Sequence, residues 1–277
     1  MRKFFTIGLF ALTTNFAFSQ DDGLRKFRFG LKLSPSINWF KPEEKLISNN
    51  GVAFKYGGGL VLEYRLAKII SFQTGMQVDF GGGKLKYNNG TTISTPSSNS
   101  VSYFYDNLDD KIVRYDSTVS PSSHTHYQLN SRSYTISYIT IPLTLKMKTK
   151  EIGSLTYYGQ FGINNSFRWK AVANDNVQPI KSGNLGTNET KQKIDVTKDV
   201  SLYTASLNIG MGAEMNLSGS TSLTFGVNYL GGFLNVVKDG SKYLEKRSND
   251  ASGATTYVAM PQQITSNAIV LMVGVLF

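Results

Sequence analysis

Three observations predict an all-β chain, an eight-stranded antiparallel up-and-down transmembrane β-barrel with long extracellular loops and short periplasmic turns. Segments of about ten or more residues alternate apolar with polar or glycine; the N-terminus reads as an export leader; the chain closes on an aromatic residue. In Ile269–Phe277 every odd position is bulky and apolar, and the last is Phe277. A strand that faces hydrocarbon on one side has this pattern, because successive side chains point to opposite faces of the sheet.

Arg2 and Lys3 precede an apolar run, Phe4 to Leu12, and Ala17-Phe18-Ser19 supplies small residues before Gln20. The run is too short and too interrupted to span a bilayer, so residues 1–19 read as a secretory signal and 20–277 as a single barrel domain. The chain has no cysteine, which excludes a disulfide framework and a lipoprotein anchor. After the leader no stretch of 18 apolar residues occurs, as a membrane helix would need. Aromatics reach 12% and charged residues only 17%. The formal net charge is +10, two charges of it in the leader. In an exported chain that balance suits outer-membrane lipid, lipopolysaccharide phosphates or acidic protein partners, and nucleic acid is not expected.

The first strand, near Phe27–Trp39, sets Phe27, Phe29, Leu31, Leu33, Ile37 and Trp39 against Arg28, Lys32 and small polar residues. The second, Ala53–Arg65, sets Phe54, Tyr56, Leu60, Leu62 and Tyr64 against Lys55, Glu63, Arg65 and glycines. The third, Ile70–Phe80, sets Ile70, Phe72, Met76, Val78 and Phe80 against Ser71, Gln73, Gln77 and Asp79. In the fourth the apolar residues are even-numbered at Tyr134, Ile136 and Tyr138, then odd-numbered from Ile139 to Met147. A one-residue slip of this kind predicts a β-bulge, which would also accommodate the missing donor of Pro142. Leu155–Trp169, Tyr203–Leu217, Leu223–Phe233 and Ile264–Phe277 complete the eight.

The connections alternate in length. Those at 66–68, 149–154 and 218–220 are short; those at 41–52, 84–126, 170–202 and 234–263 are long. This is the outer-membrane arrangement, with both termini in the periplasm. Trp39 and Trp169 then join Phe54, Tyr56, Tyr134 and Tyr203 in an aromatic girdle at the outer interface.

Eight strands leave an interior just wide enough for side chains, so a closed lumen is expected. Arg28, Lys32, Glu63, Arg65 and Glu214 should form an inward charge network in the periplasmic half, with Lys55, Asp79 and Arg168 in the outer half. Numbering back from a turn centred on Ala67 places Lys55 directly opposite Asp79. Catalytic signals are thin. His124 and His126 adjoin Ser122 and Ser123, which admits a hydrolase or acyltransferase at the rim but more simply a solvated loop. Asp106, Asp109 and Asp110 lack the order of a calcium loop, and the glycine triples at 57–59 and 81–83 open no helix, so no metal or cofactor is expected. Tyr103, Phe104 and Tyr105 in one long loop, and Lys242, Tyr243, Lys246 and Arg247 in another, are candidate docking residues.

Gly30-Leu31-Lys32-Leu33-Ser34, Tyr138-Ile139-Thr140-Ile141-Pro142-Leu143 and Gly274-Val275-Leu276-Phe277 resemble the PorT-type outer-membrane β-barrel family of Bacteroidota, over roughly Phe27 to Phe277. Thr140 stands where that family often has an acidic residue, and the loops here are longer. The resemblance implies the fold and the outer membrane, and, through the family's namesake, a link to type IX protein secretion. The expected role is therefore a non-enzymatic accessory or interaction subunit of a secretion or outer-membrane assembly machine. The alternatives are a lipid A-modifying enzyme and an orphan adhesin or small porin.

Overall fold

The computed structural model describes residues 26–89, 95–96, 99–114, 123–219, 221–249 and 255–277, so the leader and Ser122 lie outside the described residues. Among these are β1 (Phe27–Leu33), β2 (Ser36–Pro42), β3 (Ile47–Asn49), β4 (Ala53–Lys55), β5 (Gly57–Arg65), β6 (Ile70–Gly81), β7 (Lys84–Tyr87), β8 (Val101–Asp106) and β9 (Lys111–Val113). Two long strands follow, β10 (His124–Lys148) and β11 (Leu155–Lys181), then β12 (Asn184–Leu185), β13 (Glu189–Asp195), β14 (Tyr203–Ser218), β15 (Thr221–Gly232), β16 (Gly240–Asn249), β17 (Thr255–Pro261) and β18 (Ile264–Leu276). No described helix is long and apolar enough to cross a membrane.

Eight antiparallel pairings close a ring in the order β1, β5, β6, β10, β11, β14, β15, β18 and back to β1. Lys26, Phe277 and the three short turns share one end, the turn end. At the other end the segments expected to be loops are largely strand: β7 and β8 pair with β10, β13 pairs with β11, and β16 joins β8 to β17. The sheet therefore runs on past the ring into a folded cap. Serine, threonine and asparagine on its outward positions conceal the strands from a hydropathy reading.

The wall changes polarity partway up. Along the lower part of β10, Ile141, Leu143, Leu145 and Met147 point outward and are 39–55% exposed, while Thr140, Thr144 and Lys146 point inward and are buried. Further up the same strand, still on even numbers, Tyr134, Ile136 and Tyr138 are buried inside. The fourth-strand slip expected from the sequence is therefore not a bulge in that strand. Its facing is continuous from Arg132 to Lys146, the strand's own bulge lying higher up at Asn130, and the medium on each face is exchanged. The extra residue belongs to β11, where Ser137 pairs with Lys170 and Tyr138 with Arg168, leaving Trp169 unpaired. Pro142 falls in the stretch between Thr140–Gln77 and Thr144–Gln73 where β10 and β6 lose their pairing.

Above the inversion the inside is a hydrophobic core of Phe40, Leu85, Tyr103, Leu129, Tyr134, Ile136, Ala171, Val177, Val200, Leu244, Met260 and their neighbours. Trp39 and the half-exposed Trp169 both lie on the outside at the boundary row. Phe54, Tyr56 and Tyr203 are exposed there too, as the girdle requires, but Tyr134 is fully buried against Phe40, their rings 5.7 Å apart.

Candidate functional site: a salt-bridged lumen and its cap

Near the turn end, inward side chains from four walls meet. Arg28 is the register partner of Glu63, 3.9 Å away, and reaches Glu214 on the far wall at 2.9 Å. Lys146 bonds Glu214 and stands 3.5 Å from Glu63; Lys148 bonds Glu63 and lies 3.0 Å from Glu214. Three cations and two carboxylates thus lock β1, β5, β10 and β14 across the lumen. Arg28, Glu63 and Glu214 were expected in this network. Lys146 and Lys148 were missed, although the outward run Leu143, Leu145, Met147 already turns the intervening even positions inward.

Arg65 does not join them: its Nη1 is buried without a hydrogen-bond partner. Lys32 and Asp79 lie higher, in a polar cavity of about 110 Å³ whose walls include Ser34, Asn38, Thr140, Asn164, Asn208 and Asn228. Tyr138 and Val236, members of the cap core, also line this cavity. Arg168 donates to the Ser201 carbonyl at 3.3 Å. The expected Lys55–Asp79 pair is not formed. Asp79 stands opposite Gly57, where a Cβ would come within 2.0 Å of its carboxylate, and Lys55 donates instead to Thr135 Oγ1 at 2.7 Å. The turn is longer than expected, Leu66 donating to the Ile70 carbonyl, so the register shifts by two residues and inward residues stay inward.

In the cap, Arg132 and Asp175 are register partners, both fully buried and joined by two 2.7 Å hydrogen bonds, with the guanidinium 5.7 Å from the Tyr103 and Tyr134 ring centres. The expectation of an exposed docking loop fails for Tyr103 and Tyr105, which are core residues. Phe104 points outward and stacks on His126 at 4.2 Å. Tyr243 packs against the core, Lys242 donates its backbone N–H to Asp199, Lys246 pairs with Val101, and Arg247 donates to the Pro96 carbonyl. A core strand carries alternate aromatics as readily as a docking loop does, so the spacing of Tyr103 and Tyr105 does not by itself distinguish the two.

The histidines divide. His126 has a buried Nε2 without a hydrogen-bond partner, and burial, helped by Arg247, pushes its pKa down to about 4. His124 Nδ1 lies 2.8 Å from Ser123 Oγ, and its Nε2 is 3.7 Å from the Asp106 carboxylate. That carboxylate accepts the backbone N–H groups of Leu108 and Asp109. No cluster of three metal-ligating side chains occurs among the described residues.

The sequence matches the family described as outer membrane protein beta-barrel domain over residues 18–238. The chain belongs to that family. Membership places it in the bacterial outer membrane, where the exposed apolar lower wall meets lipid. Similar solved structures include Neisserial surface protein A, at 11% identity over 91% of this chain and 96% of that one, TM-score 0.38. OprG from Pseudomonas aeruginosa has 11% identity over 92% and 97%, TM-score 0.38, and Ail of Yersinia pestis 10% over 91% and 100%, TM-score 0.33. A search of curated proteins finds no match.

Proposed function

We propose that this protein is a non-enzymatic, non-conducting transmembrane barrel that displays its β-cap outside the cell as a rigid interaction surface. It would serve as an accessory subunit of an envelope complex, of the protein-secretion or outer-membrane assembly kind that the PorT-type resemblance implies. The observation that carries the reading is the continuity of one sheet from a salt-bridged lumen into a cap with its own core. A solute path is not what such an interior supports, and a mobile tether is not what such a cap supports. Both termini and the short turns would face the periplasm. The outward apolar stretch of β10, about nine residues at roughly 3.3 Å each and tilted 35–45°, suits an apolar band about 25 Å tall. Proposed partners are outer-membrane lipid, lipopolysaccharide and other envelope or surface proteins. Affinity purification of the tagged full-length protein from native membranes after cross-linking tests the role. Reproducible recovery of envelope proteins through cross-links to cap residues supports it, and recovery of the protein alone refutes it.

The Ser123–His124–Asp106 line favours a second reading, a hydrolase or acyltransferase acting on lipid A. Mass spectrometry of lipid A from cells carrying His124→Ala or His126→Ala decides between them. Under the first reading neither substitution alters acylation, and a loss that follows His124 installs the second.

A further inference from the structure

We propose that the outside of the wall between β11 and β14 is a binding site for phosphorylated lipid A, with Lys170, Lys198 and Lys238 holding the phosphates and Phe167, Leu202 and Tyr203 receiving acyl chains. The site rests on the reading that the cap end faces outward.

Its first part follows from the bulge at Trp169. An unpaired residue places two successive side chains on the same face, so Trp169 and Lys170 are both exposed on the outer surface at the row where wall polarity inverts. The second part is a ledge that adjoins them. Val196 donates to the Ala171 carbonyl at 3.1 Å and Ala171 to Thr197 Oγ1 at 3.0 Å, which sets the segment leading into Lys198 against Ala171, the chain neighbour of Lys170. Lys238 donates its backbone N–H to the Asp199 carbonyl at 2.9 Å, and Ser201 to the Val236 carbonyl at 2.8 Å. The fully buried Asp199 carboxylate holds this ledge in place by accepting from Ser241 and the Lys242 N–H. The exposed side chains of Lys198 and Lys238 thus project from a braced platform.

Below the lysines the surface is apolar. The Phe167 and Tyr203 rings are 5.2 Å apart, and Leu202 is 64% exposed. Two exposed acids lie near: Asp195, which accepts from the Thr197 N–H and faces Lys170, and Asp239, which accepts from Asn235; an incoming phosphate must compete with Asp195 for Lys170. A soluble anion would use the lysines alone and an uncharged lipid the wall alone. A phosphorylated glycolipid of the outer leaflet uses both, at the height where its head group meets its chains.

The test uses full-length protein in phosphatidylcholine nanodiscs, titrated with bisphosphorylated lipid A, dephosphorylated lipid A or phosphatidylglycerol. The variant K170Q/K198Q/K238Q changes only exposed side chains, and K111Q/K181Q serves as the distant control. Near a membrane surface each basic residue contributes about fivefold, so the triple variant is expected to bind lipid A at least tenfold more weakly while the control is unchanged. Wild type should discriminate against the dephosphorylated form to a similar degree. Undiminished lipid A binding by the triple variant overturns the site. Equally tight phosphatidylglycerol binding with the same lysine dependence overturns the lipid A assignment. Orientation is read separately: the native chain has no cysteine, so the Lys238→Cys variant in intact cells should react with a membrane-impermeant maleimide. Labelling of that variant only after lysis overturns the outward reading, and the lipid A assignment with it, even where binding in nanodiscs persists.

Discussion

Glu214→Gln is the perturbation that bears most directly on the salt-bridged lumen. The Glu214 carboxylate is 3% exposed and engages Arg28, Lys146 and Lys148. At an effective dielectric near 20, a contact at 3 Å is worth roughly 5 kcal/mol before desolvation, and drying the charges cancels most of that. Removing one partner is different, because the cations stay buried: three of them would face Glu63 alone, with Lys146 having no exposed side-chain surface. The expected cost is about 4 kcal/mol, close to three powers of ten in the unfolding equilibrium. Urea unfolding in lipid vesicles measures it, with Trp39 and Trp169, the chain's two tryptophans, as fluorescent reporters. Lys146→Met combined with Glu214→Leu keeps the cluster's net charge and should recover stability to within about 2 kcal/mol of wild type. A Glu214→Gln protein within about 1 kcal/mol of wild type would refute the reasoning and mean that lumen water screens the cluster.

Asp175→Asn strands the fully buried Arg132 and should cost the cap about 3 kcal/mol or more; hydrogen exchange should quicken at cap amides while the lower ring stays protected. His126 is held neutral in the fold down to about pH 4 by burial and Arg247, whereas the unfolded chain takes up that proton near pH 6.5. Its contribution is therefore complete above pH 6.5 and is lost as pH falls toward 4, and His126→Phe should flatten that part of the thermal-melt profile between pH 7.5 and 4.5. Purified protein in planar bilayers should show no steady conductance, and stable open-channel steps would overturn the closed lumen.

The ring was legible because a wall between lipid and a polar interior writes its period into every strand; Phe27 to Leu33 shows it as clearly as Leu271 to Phe277. Facing survived even the register error at Lys55 and Asp79, since a shift of two preserves parity. Environment was harder to read. Alternation says that the two faces of β10 differ, but not which of them meets water, so the exchange at Tyr134, Ile136 and Tyr138 looked like a bulge. The buried pair Arg132–Asp175 gave no local sign, because the two residues are 43 apart and meet only once β10 and β11 are aligned.

The polarity exchange along β10 and β11 also fixes the protein's vertical position. Sliding toward the cap by a few residues would strip lipid from Ile141 and Leu143, and sliding toward the turn end would carry the polar outer face of the cap into hydrocarbon. A smooth-walled barrel can bob or tilt to meet bilayers of different thickness. This one is collared, so hydrophobic mismatch must be taken up by the membrane, which would thin or thicken around a fixed belt.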